Sequence, residues 1–498
     1  MRSERSAGIL LHITSLPGRF GIGDLGPGAF AFIDFLRSSG CQYWQFLPLG
    51  PTGYGNSPYQ SLSAFAGNPL LISPESLYKS GHIRKSDLPS NRNFGKSRVN
   101  FPMIIDFKQR LLATAFQRFL QDQNKQHNQF QYFSDENEYW LNDYAFFMAF
   151  KDHAGGISWM DWPEAVRNRE PNKLLSLGKN LKESILKHKF VQNLFFEQWQ
   201  SLKTYAQGQG IKFIGDLPLY VALDSVDVWS KPDLFNLDKD KKPLFVAGVP
   251  PDYFSMTGQL WGNPIYAWEF HKASGYSWWL ERFKSLLNLV DLIRLDHFRG
   301  LAAYWKIPAG DVTAEHGEWA PGPGEDFLSA AEAGLSLRGN LPVIAEDLGM
   351  ISEDVIELRD RFNLPGMKIL QFAFSSEEEQ DFPHLQMENA VVYTGTHDND
   401  TTAGWFCSSN EIEKKIIKKY LHIKSERWIS WDLIRAAWSS PAKLAIAPMQ
   451  DLLSLDTDAR MNWPGRPDGN WEWRLRIRDM DPFIAFRMKR LNRKSHRS

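Results

Sequence analysis

The stretch Ile293-Arg294-Leu295-Asp296-His297-Phe298-Arg299-Gly300, entered from the apolar residues Leu289, Val290 and Leu292, decides how the rest of the chain is read. An apolar strand runs directly into an acid. Residues two apart on a strand point to the same side, so Arg294 and Asp296 face one space. A cation beside a carboxylate favours its ionised form and keeps a would-be nucleophile charged. Taken alone, such an R-x-D pair reads as a structural ion pair at a strand end.

It does not stand alone. Leu341-Pro342-Val343-Ile344-Ala345-Glu346-Asp347-Leu348-Gly349 and Val391-Val392-Tyr393-Thr394-Gly395-Thr396-His397-Asp398-Asn399 repeat the design. From Asp296 to Glu346 is 50 residues and from there to Asp398 is 52, room each time for a strand, a loop, a helix and the return. Acids at the carboxyl ends of successive strand-then-helix units are how a (β/α)8 barrel gathers catalytic groups on one face. The fold class expected is therefore an α/β protein, a (β/α)8 TIM barrel with large helical and loop insertions.

Eight apolar or β-branched runs fit the barrel strands: Gly8–Ile13, Tyr43–Leu49, Lys212–Val221, Leu289–Leu295, Val343–Glu346, Met367–Phe372, Val391–Thr394 and Leu444–Pro448. Residues 1–498 then form one catalytic barrel. Residues 55–205, with helical patterns such as Leu112, Phe116, Phe119 and Leu120 and the run Trp140 to Phe150, predict a helical insertion between the second and third strands. Residues 224–276, rich in Pro, Gly and aromatics, predict long loops near the active face. Residues 487–498 carry six Lys or Arg and predict a solvated basic tail.

Composition narrows the function. A chain of 498 residues exceeds the size at which one core usually stops growing, which suits a barrel with insertions. Balanced charge, 57 basic against 58 acidic residues, gives no bulk attraction to nucleic acid or anionic membrane, so a neutral substrate is expected. The apolar stretch Ile9 to Leu11 is too short for a signal-peptide core or membrane span. Two cysteines, Cys41 and Cys407, make no disulfide framework, and a cytoplasmic location follows as the expectation. The glycines Gly21, Gly23 and Gly26 match G-x-G-x-x-G, but no strand directly precedes them and no acid follows at ribose distance, so no dinucleotide site is expected.

Several long, ordered motifs resemble the 4-α-glucanotransferases (amylomaltases, or disproportionating enzymes). They are Pro48-Leu49-Gly50-Pro51-Thr52-Gly53-Tyr54-Gly55-Asn56-Ser57-Pro58-Tyr59-Gln60, Ser63 to Pro69, Gly215-Asp216-Leu217-Pro218, Gly248 to Ser255, Gly258-Gln259-Leu260-Trp261-Gly262-Asn263-Pro264 and the three carboxylate strands. The resemblance implies Asp296 as nucleophile, Glu346 as general acid/base, Asp398 as the carboxylate that steadies the distorted sugar, and His397 as a sugar-binding histidine. It also implies transfer of a 1,4-α-glucan segment with retention. Such chemistry needs one ionised and one protonated carboxyl about 5–5.5 Å apart, so burial or neighbouring charge must raise Glu346. Asp347 points the other way on its strand and reads as structural, as does His297.

Sugar rings present apolar faces and polar rims, so their sites pair flat aromatics with hydrogen-bonding side chains. Of the 19 Trp, 15 Tyr and 34 Phe most must be core. Tyr59, Tyr253, Phe254 and Trp261 stand out because they lie in Gly- and Pro-rich segments, with Ser57, Asp216, Gln259 and Asn263 as polar partners. The segment Gly248 to Pro264 is expected to cover the reacting centre, excluding water and stacking the acceptor. No cofactor and no metal is expected, since side chains supply the proton transfer and the nucleophile and no metal-ligand spacing accompanies the acids. The partners expected are maltodextrins and starch- or glycogen-derived glucans, with no nucleic acid and no membrane, acting on a monomer or weak homo-oligomer. Two other functions share these residues, a retaining α-glucan hydrolase and a non-catalytic glucan-binding protein. The second requires a lost carboxylate, and all three are present.

Overall fold

The computed structural model describes residues 5–89, 94–121, 126–251, 255–349, 351–374, 387–423, 425–466 and 468–497. Twelve strands are present among them: β1 Ser6–Leu10, β2 Tyr43–Gln45, β3 Lys212–Leu217, β4 Phe245–Val249, β5 Gln259–Pro264, β6 Leu292–Leu295, β7 Ala303–Pro308, β8 Glu318–Pro321, β9 Val343–Ala345, β10 Gly366–Ile369, β11 Ala390–Tyr393 and β12 Leu444–Pro448. Eight of these close a barrel in the order β1-β12-β11-β10-β9-β6-β3-β2, every recorded pairing being parallel. They are the eight runs the sequence marks. Most of their side chains are buried, on both faces, which is why the strands read as near-continuous apolar runs rather than alternating ones.

The ladders are shorter than the apolar runs. β3 stops at Leu217 because Pro218 has no N–H to donate, and β10 gives way at Ile369 to the 3-10 turn Leu370–Phe374. The chain stays buried past the ladder, so hydrophobicity alone overestimates strand length. Between β2 and β3 lie long helices, among them Phe101–Gln121, Glu138–His153 and Lys182–Gly208, the last packing against the other two and returning the chain to β3.

Two regions differ from their expected form. Residues 224–276 are not simply loops: β4 and β5 belong to a second, antiparallel sheet of order β5-β4-β7-β8. Glycine hides the strand pattern here. Gly248 sits so close to the neighbouring strand that a Cβ would lie 2.2 Å from the Gln259 carbonyl oxygen. The described part of the segment 487–498, through Arg497, is not a solvated tail either. The helix Pro482–Lys494 is capped by Asp481, whose carboxylate accepts from the Phe483 N–H, and begins with proline, the residue best suited to a first helical position. Ala485, Met488 and Asn492 form its buried stripe, and the Arg497 guanidinium, wholly enclosed, donates to the Trp438, Ser6 and Ser440 carbonyls. Basic composition masked an amphipathic helix because most of its cations lie off that stripe. No helix among the described residues is long and apolar enough to cross a membrane.

Candidate active site

The site grows from three neighbouring strand ends. Asp216 on β3 and Arg294 on β6 are direct register partners, and one Arg294 nitrogen lies 2.8 Å from both oxygens of Asp216 and 2.9 Å from Oδ1 of Asp296. Burial alone would lower the arginine's pKa, but these two acids outweigh it and hold the guanidinium cationic. The Asp216 side chain has no exposed surface, whereas that of Asp296 is 27% exposed. The sequence reading makes Asp216 a polar sugar contact; its full burial instead leaves it no surface to offer a ligand. It is a buried counter-charge that aims Arg294 at Asp296.

Glu346 follows β9, one residue past the register pair of Leu295 and Ala345, and so stands beside Asp296. His297, at φ +54°, turns its backbone N–H onto Glu346 Oε2 at 2.6 Å, and the Leu348 N–H reaches Oε1 at 3.2 Å. A left-handed backbone costs a residue with a side chain about 1–2 kcal/mol. Here the strain is tied to a carboxyl group. Gly300 closes the same turn, since a Cβ there would approach Leu219 to 2.4 Å and the His297 ring to 3.0 Å. Burial first, with Asp296 adding to it and Arg294 opposing, pushes Glu346 up to about 8. Asp347 points away, as expected, into a buried ion pair with Arg359 and a hydrogen bond from the Met367 N–H.

Asp398 sits in a different setting. Asn462 Nδ2 donates to its Oδ1 at 2.6 Å, His397 Nε2 lies 3.2 Å from Oδ2, and Arg460 donates to its backbone carbonyl. Burial would raise this carboxyl, but His397 and Asn462 hold it well below the usual carboxylate range. Tyr59 connects the two halves of the site. Its hydroxyl lies 2.7 Å from Asp216 Oδ2 and 2.8 Å from His397 Nε2, and its ring stacks on the histidine at 5.3 Å. Burial and the Asp216 charge keep the phenol protonated, so Tyr59 donates to Asp216 and accepts from His397, which places the imidazole hydrogen on Nε2.

The other expected binding residues divide. Gln259, Trp261 and Asn263 lie on β5, not in a loop, and alternate along it. Trp261 meets the His297 ring edge-on at 4.8 Å and donates to Gln259, whereas Asn263 is buried and donates to the Val221 carbonyl. Ser57 accepts from the Tyr59 N–H and so shapes the turn beneath that tyrosine. Tyr253 and Phe254 lie outside the described residues. Asn462 and Arg460 carried no sequence signal, being 64 and 62 residues beyond the acid they touch. Among the described residues no group of three or more His, Cys, Asp or Glu is placed to hold a metal ion.

A family model described as 4-alpha-glucanotransferase matches residues 11–479. A 4-alpha-glucanotransferase of Synechocystis sp. is 50% identical over 489 residues, covering 97% of this chain and 96% of that one. One of Thermus thermophilus is 46% identical over 498 residues, 98% of each chain. Among solved structures, the amylomaltase from Streptococcus agalactiae in complex with acarbose superposes with a TM-score of 0.95 at 40% identity, covering 99% of this chain and 100% of that one.

Proposed function

This chain belongs to the 4-alpha-glucanotransferase family, and on that premise we propose that it moves a segment of a 1,4-α-glucan to the 4-hydroxyl of glucose or another glucan, with retention. Asp296 attacks the anomeric carbon while Glu346 protonates the departing oxygen, leaving a glycosyl ester on Asp296. The observation that carries this reading is the opposed surroundings of the two neighbouring carboxyls, a cation at 2.9 Å for Asp296 and a raised pKa of about 8 for Glu346. Charge on Asp296 is one cause of that rise. Esterification removes the charge, so Glu346 becomes the stronger acid and its conjugate base is ready to take the acceptor's hydroxyl proton. The same residue thus serves both half-reactions.

Asp398, held ionised by His397 and Asn462, stabilises the positive charge that develops on the sugar ring. Arg294, Tyr59 and His397 position the carboxylates, and Trp261 offers an aromatic face beside them. The substrates are α-glucans. Both cysteines are unpaired, Cys41 buried and Cys407 exposed, which fits a cytoplasmic enzyme. Incubation with maltotriose should give glucose together with a ladder of longer maltodextrins. Glucose and maltose without longer products would make the enzyme a hydrolase.

A further inference from the structure

A group of aromatics lies open to solvent away from the three carboxylates, where the C-terminal helix meets the helix Ile429–Ser439. That second helix runs toward Ser440 and the start of β12, hence away from the catalytic face of the barrel. The helix Pro482–Lys494 runs beside it in the same sense: Arg487 lies over the Trp431 ring near its first turn, and Trp438 Nε1 near its last turn donates to Asn492. Trp431 in turn donates to the Leu452 carbonyl, just beyond the carboxyl end of β12. Phe483 and Trp428 therefore lie toward the catalytic-face end of the flank.

Phe483, Phe486 and Arg487 share one helix surface by their spacing, and Arg487 joins that surface to Trp428, whose ring centroid is 5.0 Å from the guanidinium carbon. Phe483 is 67% exposed, Phe486 63% and Trp428 44%. Grouped aromatics left open in this way mark a binding surface more often than chance placement. Arg487, itself anchored 3.7 Å over Trp431, and Arg427, 5.3 Å from the Trp428 centroid, both lie against the Trp428 indole and hold it in place, so little side-chain freedom is lost when a ligand packs there.

We propose that Trp428, Phe483 and Phe486 form a surface site for a linear 1,4-α-glucan, gripping polymer whose reacting end lies in the cleft. The proposal rests on the function argued above. Apolar ring faces suit the C–H faces of glucose units. The neighbouring cations Arg487 and Arg427 are engaged by indole rings, which leaves the apolar faces of Phe483 and Phe486 as the open surface.

Two variants test it, the double substitution Phe483→Ala/Phe486→Ala and, separately, Trp428→Ala. Retardation in native gels containing amylose should weaken about fivefold, and KM for amylose should rise by a similar factor. Turnover of maltotriose, too short to span both places, should not change. Wild-type retardation in both variants would overturn the proposal. So would a parallel loss of amylose and maltotriose turnover, or retardation lost only in gels containing dextran sulfate, which would mark an anionic partner. Absence of a maltodextrin ladder from the wild-type enzyme would instead refute the transferase reading, whatever the gels show.

Discussion

Glu346 and Asp398 both follow barrel strands, β9 and β11, yet their carboxyls are set in opposite states. Glu346 receives two backbone N–H groups and faces a neighbouring carboxylate, and burial wins, giving a pKa of about 8. Asp398 is 45% exposed at its side chain and receives an imidazole and an amide, which hold it well below the usual range. Position on the fold gathers the acids. What is aimed at each one decides its role.

The largest way to break the contrast is Glu346→Gln, which should reduce transfer between natural glucans by about 10²–10⁴-fold. Because the protonated form is the donor, wild-type kcat/KM should fall as pH rises through about 8, and the variant should lack that alkaline limb. A donor with a good leaving group, such as a maltosyl fluoride, needs no proton and should restore the glycosylation step. An alkaline limb that survives in the variant would assign the titration to another group.

A smaller effect sharpens the other side. Asn462→Ala removes the amide from Asp398 and should lower kcat by about tenfold with KM for maltotriose little changed, since the loss falls on charge stabilisation in the transition state. Equal changes in kcat and KM would show Asn462 acting mainly on substrate binding.

Much of this was legible because barrel strands buried on both faces write themselves as apolar runs, and Asp296, Glu346 and Asp398 sit where those runs stop. Arg294 could be paired with Asp296 from spacing alone. Asp216 could not be placed correctly, because only the register of β3 with β6 reveals that it faces Arg294 and not the cleft. The second sheet escaped because Gly248 breaks the alternation of β4, and the C-terminal helix because Ala485, Met488 and Asn492 make a thin stripe among cations. Asn462 depends on a contact 64 residues away, which no local pattern records.

The central claim is that Asp296 becomes the glycosyl ester while Glu346 manages the proton. Mass spectrometry of the Glu346→Gln enzyme quenched during reaction with a maltosyl fluoride tests it directly. A maltosyl adduct should appear on the peptide carrying Asp296 and be absent when Asp296→Asn is combined with it. An adduct on the Asp398 peptide, or steady turnover of the fluoride by the Asp296→Asn enzyme, would show that Asp296 is not the nucleophile.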